Sequence, residues 1–259
     1  MGNGLYSIPH IYELAFSFRD YVKAVDFLAS AAKRAGLARI ESMIEYGCGP
    51  GQYCREFALR GVRSWGVDLS PDMVLYANRK ADEAGVPCEA VEGDMRTLAI
   101  DQPLDLACCM MATFGYLHTN QDILAHLKTV AANLNAGGIY IIELPHPKGL
   151  YGDEKATHDQ WEIEGSGISL SIDWCNDARF DPVTEIDTGT VRFVWKENGK
   201  SYSHEATDAT RRISRGLIDA LVEQSGCFEI VERFGDLNLD QPFDNTKKSW
   251  RMVLALRKK

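Results

Sequence analysis

The sequence predicts an α/β protein, with an open and mostly parallel sheet covered by helices on both faces and one antiparallel insertion. Two observations carry this. Between residues 40 and 147, short apolar runs alternate with stretches of helical periodicity, the rhythm of βαβ units. Beyond residue 147 that rhythm gives way to short segments of strict alternation, and it returns from residue 215 onward.

The first forty residues read as helix. Residues 13–37 contain no proline, and Ala15, Phe18, Val22, Val25, Phe27, Leu28 and Ala31 recur at roughly helical spacing, with Gly36 ending the pattern. A strand is expected over 42–46, running straight into Gly47, then a helix over 52–59 and a strand over 64–67 ending at Asp68. Residues 71–84 form the next helix, with Ser70 as N-cap and proline in the first position. Strands follow over 88–91 and 104–110, a helix over 121–134, a turn over 135–138 and a strand over 139–143. In the insertion, 168–174 and 190–195 alternate, and Asn198-Gly199 is a strong hairpin signal. A helix over 215–225 and strands over 228–234 and 249–257 close the chain. The expected organisation is one domain over 1–259: a helical cap (1–39), a core (40–147 and 215–259) and an antiparallel lid (148–214).

Composition narrows the function. The 259 residues are 45% hydrophobic and 25% charged, ordinary for a soluble globular protein. A formal charge of −9 argues against a nucleic-acid partner, whose binding rests on phosphate neutralisation. No apolar run approaches the roughly 18 residues of a membrane span. The opening MGNGLYSIPHIYEL lacks the pattern of a signal peptide, and Tyr6 stands where myristoylation wants Ser or Thr, so a cytoplasmic location is expected. The 7 cysteines include no C-x-x-C pair and read as reduced thiols. No Cys lies near His118 or His126, so no metal is expected. A homodimer stays open.

The informative stretch is Glu45-Tyr-Gly-Cys-Gly-Pro-Gly51. Glycines between a strand and a helix let backbone approach a ligand and aim free N–H groups at it. Gln52 occupies the last position of a dinucleotide fingerprint counted from Gly47, and no Lys-Ser or Lys-Thr follows, so neither a nicotinamide site nor a P-loop is expected. Asp68, ending the second strand, suits both hydroxyls of a ribose. Past the third strand, in Gly93-Asp94-Met95-Arg96, an acid could accept from an adenine amino group while an apolar neighbour covers the ring. Taken singly, the glycines are turn residues and the two acids are caps; together they outline a pocket for an adenosine without pyrophosphate.

With these motifs the sequence resembles the class I S-adenosylmethionine (SAM) methyltransferases, with Rossmann-like folds of seven mostly parallel strands. More narrowly, Gly93-Asp-Met-Arg, Met111-Ala-Thr-Phe-Gly-Tyr-Leu117, the β-rich insertion and the Tyr12…Arg19…Tyr21 opening resemble the TDP-amino-sugar N,N-dimethyltransferases, with glycine and sarcosine N-methyltransferases as looser kin. The resemblance implies SAM as cofactor, S-adenosylhomocysteine (SAH) as product, and a small-molecule acceptor methylated most readily at an amine nitrogen. It implies cofactor contacts from Arg19, through the SAM carboxylate, and from Glu45, Gly47, Cys48, Gly49, Gly51, Asp68, Leu69, Met73, Gly93, Asp94, Met95 and Met110. Tyr12, His118 and His146 become candidate catalytic residues, and Phe114, Tyr116 and Glu143 candidate substrate contacts. The chain departs from the sugar enzymes at His146-Pro147, where aromatic residues are expected.

Each has a plainer reading: Phe114 as core, Glu143 as a loop anchor, His118 as a surface or capping residue. The run Asp153, Glu154, Asp159, Glu162 and Glu164 is either a solvated face or an attractor for a cationic acceptor. O-methylation and non-catalytic SAM binding are the competing functions. Exposure of Trp161 and Trp174 would point to a protein partner.

Overall fold

Why the site lies where it does follows from strand order. The structure, a computed structural model, describes residues 4–148, 158–175 and 180–259. Five strands alternate with helices: β1 (Ser42–Tyr46), β2 (Arg63–Asp68), β3 (Cys88–Glu92), β4 (Leu104–Cys109) and β5 (Leu134–Pro145). The connecting helices are α3 (Gln52–Leu59), α4 (Pro71–Ala84) and α5 (Asn120–Asn133), after α1 (Pro9–Ala15) and α2 (Tyr21–Arg34) at the start. Near the end come α6 (Arg215–Ser225), β10 (Phe228–Phe234) and β11 (Arg251–Lys258). The seven strands lie in the order β10-β11-β5-β4-β1-β2-β3, with β11 antiparallel to both neighbours. β1 is buried along its whole length, between β2 and β4, where the order of strands reverses. Open α/β sheets bind ligands at the carboxyl edge beside such a reversal.

The helix expected over 13–37 is two helices. Its pattern counted Phe18 and Val22, yet these are 64% and 50% exposed, and Phe18 lies in the break between α1 and α2. Asp20 restarts the chain as N-cap of α2, accepting from the Lys23 N–H at 3.0 Å. Gly36 ends α2 as expected, at φ +107°, while the Leu37 N–H reaches back to the Ala32 carbonyl. Ser70 and Pro71 start α4 as the sequence predicts. The turn expected over 135–138 is absorbed into β5 as an irregularity: Leu104 pairs with Leu134, but Leu106 pairs with Ile139.

The insertion forms its own four-stranded antiparallel sheet, β6 (His158–Gly165), β7 (Ile168–Cys175), β8 (Ile186–Glu197) and β9 (Lys200–Arg211), in sequential order. Asn198 and Gly199 turn β8 into β9 with positive φ, the conformation of a tight hairpin turn. One face of this sheet, with Ile172, Val191 and Phe193 fully buried, packs on Leu5, Ile11 and Ala15. The N-terminal segment and the inserted sheet therefore share a core. Trp161 donates to the Ala15 carbonyl at 2.9 Å, and Trp161 and Trp174 pack half-buried on Phe16, so neither offers an exposed ring for a protein partner. Asp153 and Glu154 of the acidic run lie outside the described residues.

Candidate functional site

A cavity of about 490 Å³ opens at the carboxyl ends of β1, β2 and β4. Its floor is Gly47, Cys48, Gly49 and Pro50 of the glycine turn, though not Gly51, with Asp68, Leu69, Gly93, Met95 and Met110; its roof is Tyr6, Tyr12, Tyr116, His118 and two residues of β9, Thr207 and Ala209.

Gly47 adopts φ +70°, and a Cβ there would overlap Thr113 Cγ2, so only glycine lets the turn pass under that side chain. The N–H groups expected to face a ligand are used internally. Gly47 and Cys48 donate to the Val67 carbonyl at 2.7 and 2.9 Å, and Gly49 donates to Asp68 Oδ2 at 2.8 Å. The turn thus offers close approach rather than a cradle of donors, which suits a ligand without phosphate. Nothing lies within 4 Å of the place a Cβ on Gly49 would occupy, and that residue borders the cavity. Cys48 is buried there, and burial pushes its thiol well above the ordinary range, away from nucleophilic chemistry.

Asp68 accepts from Gly49 on one oxygen and from the Ser70 N–H at 2.9 Å on the other. An ionised carboxylate has about four acceptor positions, so each oxygen keeps room for a ligand hydroxyl. Burial raises the Asp68 pKa, and the backbone donors oppose that rise. Glu45 is buried behind the turn, its carboxyl pushed up by burial, with Cys54 donating to it at 3.3 Å.

At the far side Arg19 Nε, Tyr21 Oη and Tyr53 Oη are buried with no hydrogen-bond partner among the described residues. The two tyrosine rings meet edge to face at 5.2 Å, and of the three residues only Tyr53 lines the cavity, with Arg19 and Tyr21 behind it. Burial raises both phenols, with the Arg19 charge acting against the rise. Three grouped donors without an acceptor are costly unless an anion completes them. Tyr53 escaped sequence reading because it looks like an ordinary buried face of α3.

Other expected contacts fall elsewhere. Asp94 is held by Arg96, which also binds Asp122 at 2.6 Å, and this guanidinium keeps the Asp94 carboxyl below its usual value. Only its neighbours Gly93 and Met95 line the cavity. Met73, in the first turn of α4, is fully buried and is not part of the lining. Phe114 is core, fully buried with its ring 5.5 Å from His126. Glu143 is the loop anchor: Arg251 pairs with one oxygen, the other accepts from the Met111 N–H at 2.9 Å, and the residue is not part of the cavity lining. That bond steadies Met111 and Ala112, which have positive φ. His146 lines a separate cavity, where Nε2 donates to the Asp244 carbonyl and Nδ1 accepts from the Lys148 N–H, so it has no free nitrogen for catalysis.

His118 does border the central cavity. Its Nε2 lies 2.9 Å from the Ala209 carbonyl and must carry the proton there, which leaves Nδ1 bare in a neutral ring. Tyr12 also lines it, with Tyr6 at 5.5 Å between ring centroids. Tyr6, which the sequence did not single out, bonds to Tyr116 Oη at 2.5 Å, and Tyr116 donates to Asp208 Oδ1 at 2.6 Å. No lysine or arginine is among the described residues lining this cavity.

Residues 43–138 match the family model of methyltransferase domains. The chain is 26% identical over 146 residues to dTDP-3-amino-3,4,6-trideoxy-alpha-D-glucopyranose N,N-dimethyltransferase of Streptomyces venezuelae, covering 54% of this chain and 58% of that protein. It is 30% identical over 139 residues to trans-aconitate 2-methyltransferase of Shigella flexneri, covering 53% of this chain and 50% of that one. The chain thus spans about half the length of the curated relatives it matches. A solved S-adenosylmethionine-dependent methyltransferase from Clostridium acetobutylicum shares the fold with a TM-score of 0.79 at 18% identity, over 96% of each chain. Over residues 43–138 the chain is thus similar to methyltransferase domains, and nearly its whole length shares the Rossmann-like fold of that solved S-adenosylmethionine-dependent methyltransferase.

Proposed function

We propose that the protein transfers a methyl group from SAM to the nitrogen of a small-molecule amine, leaving SAH. The carrying observation is the chemistry of the cavity wall: tyrosine rings and an aspartate-backed hydroxyl face the acceptor end, and no cationic side chain lines the space among the described residues. A carboxylate acceptor at that end, away from Arg19, would meet no lining counter-charge, whereas aromatic faces attract an ammonium or sulfonium.

The residues present fit the cofactor. The unpartnered donors of Arg19, Tyr21 and Tyr53 would hold its carboxylate, Asp68 its ribose hydroxyls, and Met95 would cover its adenine. SAM supplies an activated methyl group and a neutral leaving group, so no covalent enzyme nucleophile is needed. What the chain must do is hold the acceptor nitrogen in line, about 3 Å from the carbon it attacks, and exclude water. The inserted sheet and the N-terminal segment, which together roof the cavity, support reading 148–214 as a lid and 1–39 as a cap over a SAM-binding core (40–147 and 215–259).

No described helix is long and apolar enough to cross a membrane, and the 7 free thiols fit a reducing, cytoplasmic setting. A second reading, O-methylation of a hydroxyl, is favoured by the bare Nδ1 of His118, which could take the hydroxyl proton.

Methyl-labelled SAM, incubated with the protein and a metabolite extract, tests the choice by mass spectrometry of the labelled products. Label on an amine nitrogen is expected. Label on oxygen would move the assignment to the second reading. No transfer, together with no SAM binding by calorimetry, would end the methyltransferase proposal.

A further inference from the structure

The hydrogen-bond chain over the cavity has a direction. An ionised Asp208 can only accept, so the proton between Tyr116 and Asp208 belongs to Tyr116. With its own proton so committed, the Tyr116 hydroxyl receives one from Tyr6. Tyr6 is then left with lone pairs and no free proton at the cavity wall, where it is part of the lining. Its carbonyl accepts from Ser70 Oγ at 3.0 Å, and the Gly4 carbonyl two residues earlier accepts from His204 Nε2 at 2.6 Å, which pins this stretch of backbone. Burial raises the Asp208 carboxyl, while the Tyr116 bond and the nearby His118 hold it down against Asp187.

We propose that Tyr6 is the specificity-determining contact for the acceptor nitrogen, taking a hydrogen bond from its N–H, and that Asp208 acts through Tyr116 as the positioning residue that makes Tyr6 an acceptor only. The inference rests on the proposed amine methylation and deepens it, by naming the group that tells an N–H donor from a carbonyl or carboxylate. An oxygen acceptor group placed against Tyr6 would meet lone pairs, while an ammonium or amine meets a polarised partner.

Asp208→Asn keeps the shape but supplies an amide N–H, which lets the chain run backwards and turns the Tyr6 hydroxyl toward the cavity as a donor. The probes are SAH, which is neutral at sulfur, and sinefungin, a cofactor analogue that carries a primary amine where SAM carries its sulfonium methyl. Calorimetry on the full chain should show that wild type prefers sinefungin over SAH, and that Asp208→Asn, Tyr116→Phe and Tyr6→Phe each reduce that preference about tenfold, the scale of one hydrogen bond to a charged group. SAH affinity should hold steady in all three, whereas a purely structural defect would weaken both ligands together. An unchanged ratio in Tyr6→Phe, the variant that keeps the ring, overturns the assignment, and so does parallel loss of both ligands in all three variants. Wild type binding neither SAH nor sinefungin would show that the cofactor reading itself has failed, and the inference with it.

Discussion

A methyl group added at Gly47 would run into Thr113, and the backbone there already sits at φ +70°. Left-handed backbone costs an ordinary residue roughly 1–2 kcal/mol, and the collision adds to it. Urea unfolding of Gly47→Ala should therefore show a loss above about 2 kcal/mol. Gly49→Ala, with φ +51° and open space before it, should lose about 1 kcal/mol but weaken SAH binding, because its methyl group enters the cavity. Arg19→Ala tests the unpartnered donors. It should raise the SAH dissociation constant about tenfold or more, with a melting temperature close to wild type, since the buried Nε has no partner to lose among the described residues. The glycines and Asp68 were legible because a turn between strand and helix constrains neighbours in the sequence. Glu143 was not, because its partner Arg251 lies 108 residues away on another strand. Tyr6 was hidden for the same reason: only the fold brings it to Tyr116, 110 residues on.

Elements with chemical end signals were read almost to the residue. Ser70-Pro71 opens α4, and Ser214 with Gly226 brackets α6. The break between α1 and α2 was missed because Phe18 and Val22 fit a helical period whether or not they are buried, and periodicity cannot report exposure. Ser70 has a second duty: its hydroxyl accepts from the Met73 N–H and donates to the Tyr6 carbonyl. Ser70→Ala should cost about 1–2 kcal/mol as a lost cap. It should also speed SAH dissociation in stopped-flow measurements, because the segment roofing the cavity loses its tie to the sheet. Wild-type release rates in that variant would show that the tie does not hold the roof.

For the whole molecule, acid stability turns on His126, fully buried between the Met95 carbonyl and the Tyr140 hydroxyl. Burial pushes its pKa from 6.5 down to about 4. As pH falls below about 6.5 the unfolded chain takes up a proton that the folded chain refuses, so stability present at neutral pH drains away until about pH 4. The loss amounts to about 3 kcal/mol. Burial raises the carboxyls of Glu45, Asp68 and Asp208, and these act in the opposite sense: their contribution is full at low pH and fades as pH rises through their folded values. The His126 effect is therefore read as a difference, with His126→Gln expected to flatten the fall in urea midpoint between pH 7 and pH 4.5; equal slopes would refute it. The sheet order carries a consequence for synthesis. β11 follows β10 in the chain yet lies between β10 and β5, pairing with β5 from Arg251–Pro145 to Arg257–Ile139. Until Arg251–Lys258 leave the ribosome, the buried strand β5 presents a bare apolar edge and β10 has nothing to join. A premature stop anywhere before residue 251 would thus release a sheet with its seam open, prone to pair with other nascent chains and in need of a chaperone.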